Sequence, residues 1–174
     1  MEMAKALSGA IEMEKNGYDV YMSAAKKTRN KLGRATLEAI AAKELNHIAA
    51  IEEYIDKISE GSSDLKKALK EIDPKEKSDY VKPILDKLRG ELEEKVKPDS
   101  DLEKAYKVAM GLEKASFDLY QKLFKESDNP EAKQFFQFLM NEENTHWELL
   151  RETLQYLNRP AQWFEEKERW IVEG

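Results

Sequence analysis

Apolar residues recur along most of this chain at intervals of three and four, the period of a helix with one inward face. Between about Ala4 and Lys27 the stripe is Leu7, Ile11, Tyr18, Tyr21 and Ala25. A second segment, about Ala35 to Ser59, carries Leu37, Ile40, Ile48, Ile51, Ile55 and Ile58. A third, about Leu102 to Lys125, carries Tyr106, Ala109, Phe117, Tyr120 and Phe124. The fourth carries Phe136, Leu139, Leu150, Leu154 and Leu157. Its start is marked by Asp128-Asn129-Pro130, with Asn129 or Asp128 as cap and Pro130 in the first turn. Breaks are expected at Asn30-Lys31-Leu32-Gly33, at Gly61-Ser62-Ser63-Asp64 and at Asn158-Arg159-Pro160.

The pattern predicts an all-α fold of two helical hairpins, about residues 3–60 and 101–158, in a single domain over 1–174. Between them lies a Lys- and Glu-rich crossover, 61–100, which Pro74 and Pro83 divide into short helices. A connection of that length must run along a four-helix bundle to start the third helix at the correct end. The tail, 159–174, carries Trp163, Phe164 and Trp170, and predicts docking against the bundle or a neighbouring subunit. Phe135, Phe136 and Phe138 are expected to be packing residues.

Composition narrows the chemistry. Cysteine is absent among the 174 residues, which excludes disulfides, thiolate metal sites and cysteine nucleophiles. The net charge of −6 argues against nucleic acid or an anionic membrane as partner. No apolar run approaches the ~18 residues of a membrane span, and no signal peptide is visible, so a cytoplasmic protein is expected.

The two hairpins match each other at a shift of 99 residues. Glu14-Lys15 aligns with Glu113-Lys114, Asp19 with Asp118, and Tyr21 with Tyr120. Glu44 and His47 align with Glu143 and His146. The repeat filters the 25 glutamates of the chain. Glu12 falls opposite Gly111, Glu38 opposite Gln137, and Glu142 opposite Lys43, which are surface-like exchanges. Both histidines follow a glutamate by three, a coincidence with a chance of roughly 2% in so Glu-rich a chain.

All six matched groups sit on the interior stripes. Glu14 lies between Ile11 and Tyr18, and Glu113 between Ala109 and Phe117. Glu44 and His47 interrupt the line from Ile40 to Ile51, and Glu143 and His146 the line from Leu139 to Leu150. Burying four unpartnered carboxylates would cost several kcal/mol each. No lysine or arginine shares these stripes, whereas two divalent ions balance the charge. Glu-x-x-His puts both groups on one helical face, one turn apart. Glu14, Glu44, His47, Glu113, Glu143 and His146 are therefore the expected ligands of two metal ions. Tyr21 and Tyr120, two turns along from Glu14 and Glu113, are either core aromatics or hydrogen-bond partners of the ligands. Oxygen and nitrogen donors suit iron or manganese, and zinc also binds such sites.

These motifs resemble the rubrerythrin branch of the ferritin-like superfamily, over roughly residues 3–58 and 102–157. The resemblance implies a di-iron centre oxidised by hydrogen peroxide or dioxygen, with Glu44 and Glu143 bridging or flanking the ions and Glu14 and Glu113 capping one each. Two departures stand out. Rubrerythrins carry a cysteine-ligated iron domain, absent here, so electrons would come from an external donor such as rubredoxin. They also tend to carry a carboxylate three residues after the third-helix ligand, where this chain has Ser116; that argues against a redox-linked iron shift and a fast peroxidase. The expected function is a di-iron oxidoreductase reducing peroxide or dioxygen. A ferroxidase or iron-handling protein, and a bundle merely stabilised by metal, are the alternatives. The long crossover and aromatic tail predict a homodimer, with helices exchanged between subunits as a further form.

Overall fold

The computed structural model describes residues 2–60 and 102–159, all in or beside four helices with no strand among them. These are α1 (Glu2–Lys27), α2 (Lys31–Glu60), α3 (Leu102–Glu126) and α4 (Pro130–Asn158). None is long and apolar enough to cross a membrane. The expected all-α, ferritin-like four-helix bundle is what the chain forms.

Each hairpin packs its own two helices together, and the hairpins meet through α1 against α3 and α2 against α4. Tyr21 reaches Glu113 while Tyr120 reaches Glu14, so α1 and α3 run in opposite directions. Lys57 lies beside Glu131 and His146 beside Glu44, so α2 and α4 are also antiparallel. It follows that α2 and α3 run the same way. The start of α3 stands beside the start of α2, with the Tyr106 hydroxyl donating to the Gly33 carbonyl at 3.2 Å. The end of α2 and the start of α3 therefore stand about the length of α2 apart, about 45 Å at 1.5 Å per residue. The short helices expected in that connection, and the aromatic tail, lie outside the described residues.

One boundary differs from expectation. α2 begins at Lys31, not near Ala35, and Gly33 is inside its first turn. Asn30 makes this possible: its side-chain oxygen accepts from the Gly33 N–H at 2.9 Å, and its carbonyl accepts from the Arg34 N–H. A Cβ at Gly33 would come within 2.9 Å of the Leu102 methyls, so the missing side chain lets α3 approach. At α4 the expected cap is present, Asn129 Oδ1 accepting from the N–H groups of Glu131 (2.8 Å) and Ala132 (3.3 Å). Asn129→Ala is expected to lower the unfolding free energy by about 1 kcal/mol. Urea titration checks this, with an unchanged midpoint as the contrary result.

The core divides into two apolar clusters. One gathers Leu7, Ile51, Tyr120, Leu123, Phe136 and Leu139; the other Tyr21, Leu37, Ile40, Tyr106, Leu112 and Leu150. Fully burying each such side chain contributes about 1.5–3 kcal/mol. Phe135 and Phe136 pack as expected, but Phe138 is 47% exposed. Two residues past Phe136 is about 200° around the helix, which turns Phe138 to the outside.

Candidate metal centre

A polar layer interrupts the interior stripes of all four helices. α1 supplies Glu14, α2 Glu44 and His47, α3 Glu113, and α4 Glu143 and His146; none is more than 3% exposed. Helical spacing on each element and the packing of four elements bring these six together.

The layer has an approximate two-fold arrangement that follows the sequence repeat. His47 Nδ1 lies 3.1 Å from Glu14 and 3.3 Å from Glu143. His146 Nδ1 lies 3.4 Å from both Glu113 and Glu44, the equivalent pair. The imidazoles stack with centroids 5.1 Å apart. The tyrosines cross over: the Tyr21 hydroxyl donates to Glu113 at 2.6 Å, and the Tyr120 hydroxyl donates to Glu14. Each half of the chain thus orients a carboxylate of the other. Gly17 lies beside this layer, where a Cβ would make ordinary contact with the Glu44 carboxylate at 3.4 Å and the Tyr21 ring at 3.5 Å.

Burial dominates the protonation of the layer. It raises Glu44 and Glu143 well above the ordinary carboxylate range, and the negative charge of Glu14 pushes both further. Burial pushes Glu14 the same way, but hydrogen bonds from Glu44 and His47 and the charge of His47 outweigh it, so Glu14 is lowered. Without metal, burial and the charge of Glu14 thus favour the protonated form of Glu44. Burial, then the facing carboxylates, raises Tyr21 and Tyr120 well above 10, so both stay hydrogen-bond donors.

The donor set fits divalent metal. Glu44 Oε1, His47 Nε2, Glu113 Oε2, Glu143 Oε1 and both ring nitrogens of His146 are buried without a hydrogen-bond partner. Native interiors leave few such atoms, and several in one layer imply a ligand. One atom each from Glu44, His47, Glu143 and His146 falls within 4.8 Å of the others, a compact set for a metal ion. Glu14 and Glu113 flank it through the histidines.

One residue set aside as surface-like belongs beside the site. Glu142 is about one-third exposed, and its carboxylate lies 3.9 Å from His47 Nε2 and 4.0 Å from Lys43. The position is asymmetric, because the repeat puts Lys43 where the other half has Glu142. Adjacency to Glu143 was the available signal: one residue back turns the side chain about 100° toward α2.

A helical bundle crossed by a buried layer of glutamates and Glu-x-x-His pairs is the ferritin-like di-metal class of protein. The Rubrerythrin family model matches residues 5–154, and the chain belongs to that family. No curated protein and no solved structure compared with the chain gives a match.

Proposed function

We propose that this protein is a di-iron oxidoreductase that reduces hydrogen peroxide, or dioxygen, with electrons from an external donor such as rubredoxin. The observation that carries the reading is the set of partnerless buried nitrogen and oxygen atoms in one mid-bundle layer. Glu14, Glu44, His47, Glu113, Glu143 and His146 would hold two iron ions, with manganese or zinc as substitutes. Two ferrous ions held there would supply the two electrons by which hydrogen peroxide and two protons become two waters. The residues do the rest. Tyr21 and Tyr120 keep their protons and fix the outer oxygens of Glu113 and Glu14. The apolar clusters above and below exclude water. The same reading takes residues 1–174 as one cytoplasmic domain that forms a homodimer. All six residues come together within one chain, so helix exchange is not needed to build the site.

The test is peroxide consumption by ferrous-loaded protein with a reduced rubredoxin present. Repeated turnovers are expected. Oxidation once, with no re-reduction by any donor, would leave iron handling as the function instead. Glu142 lies 3.9 Å from His47 Nε2 at the edge of the layer, where its negative charge favours a bound cation. Glu142→Gln is expected to weaken metal binding about tenfold. Competition against a chromophoric chelator measures it, and an unchanged affinity excludes this role for Glu142.

A further inference from the structure

Among the described residues, a cavity of about 250 Å³ enters the bundle between α3 and α4. Its lining is Glu113, Lys114, Phe117, Glu143, Asn144 and Trp147. Glu113 and Glu143 are each 1% exposed and form its inner end, and Glu113 Oε2 and Glu143 Oε1 are among the partnerless atoms. Phe117 and Trp147 are half-buried walls, while Lys114 and Asn144 are exposed at the rim. The rim and wall are braced from outside: Lys114 pairs with Asp118 at 3.0 Å, and Arg151 lies 5.5 Å from the Trp147 ring.

Two features of this cavity exceed what hydrogen peroxide requires. The first is size. A water molecule's share of liquid volume is about 30 Å³, so the cavity holds several times the volume of a peroxide. It approaches the ~300 Å³ at which small-molecule sites begin. The second is chemistry. Phe117 and Trp147 offer no donor or acceptor to an O–O group except the indole N–H, but they favour hydrocarbon removed from water. The bundle does not demand this lining. The repeat matches the ligands of the two halves, yet it puts Tyr18, Leu45 and Ile48 where this half has Phe117, Asn144 and Trp147.

We propose that this pocket seats the organic group of an alkyl or aryl hydroperoxide, with its O–O end at Glu113 and Glu143. Organic hydroperoxides are then a substrate class of the site, an inference that rests on the peroxide-reducing reading above. The O–O bond breaks and the hydroperoxide accepts two electrons and two protons, leaving the alcohol and one water. The electrons come from the same external one-electron protein donor.

Binding is tested without metal and without turnover. In the full chain with Trp163→Phe and Trp170→Phe, Trp147 is the sole tryptophan of the original three. The probe is 2-phenyl-2-propanol, the product alcohol of cumene hydroperoxide. A saturable change in Trp147 emission is expected, and Asn144→Phe, which plugs the rim, is expected to abolish it. Leu45→Phe, at the equivalent place on the other hairpin, is expected to leave it intact. In ferrous-loaded protein, Asn144→Phe is expected to lower kcat/KM for cumene hydroperoxide, relative to hydrogen peroxide, about tenfold. If hydrogen peroxide is turned over but cumene hydroperoxide is not, or the alcohol leaves Trp147 emission unchanged, the pocket assignment is wrong and the peroxidase reading stands. If neither peroxide is consumed, the peroxidase reading fails and the substrate assignment fails with it.

Discussion

Saturating zinc(II), chosen because it is redox-inert, is expected to raise the melting temperature of the metal-stripped protein by about 10 °C. The reasoning starts from the layer's position between two apolar clusters. Four buried carboxyl groups there lie in a medium that solvates them poorly, and their unpartnered oxygens have lost water without replacement. Metal binding restores both coordination and charge balance in the folded chain alone. Ligand at a thousand times its Kd stabilises by about 4 kcal/mol. A chain of this size gains about 2–4 °C per kcal/mol. The double variant Glu44→Gln/Glu143→Gln separates metal binding from packing. Its stripped form is expected to melt no lower than stripped wild type, since two buried acids have become neutral amides. Added zinc is then expected to move it by under about 2 °C. A variant that melts far lower when stripped, or still gains the full increment from zinc, would show that these glutamates do not hold the metal.

The stability of the stripped protein is expected to fall as pH rises above about 4.5, the ordinary glutamate value. Glu44 and Glu143 have raised values in the fold, chiefly through burial. Above 4.5 the unfolded chain releases these two protons while the folded chain retains them, so the unfolded state binds fewer protons. The contribution is fully present below the unfolded value and is lost as pH climbs through the folded ones. Each carboxyl still protonated in the fold gives a slope of about 1.4 kcal/mol per pH unit. Glu14 has the opposite sign, because its value is lowered: its contribution is present above 4.5 and lost below it, outside this window. Metal reverses the trend. The ligands must ionise to bind, so the zinc-loaded protein is expected to gain stability over the same range. Thermal melts from pH 5 to pH 8 with and without zinc check both slopes. Parallel profiles would show that the two glutamates carry no shifted protons.

Much of the candidate site is legible in the order of residues. Leu7, Tyr21, Leu37, Ile40, Ile51, Tyr106, Tyr120, Phe136, Leu139 and Leu150 sit on predicted stripes and are buried. The helical period is local, set by 3.6 residues per turn, so it survives in one dimension. The six matched residues were found by the same logic, as charge where the period demands hydrocarbon, and the repeat separated them from the other glutamates. The pattern places the start of α2 late because Gly33 resembles a breaker. Only the Asn30 cap and the nearness of Leu102 show why glycine belongs in that turn. The repeat hides Glu142 by matching it to a lysine, although its neighbour across the bundle is His47.

By itself, the order of residues determined the helices, their inward faces and which polar side chains those faces carry, because each depends on spacing along one segment. Tertiary structure decided the partnerships. Tyr21 serves Glu113 and Tyr120 serves Glu14, His47 meets carboxylates from both hairpins, and the aromatic pocket opens between α3 and α4. These pairings depend on the direction and rotation of one helix against another. Many side chains on several elements set that geometry together, and no spacing within a single helix encodes it.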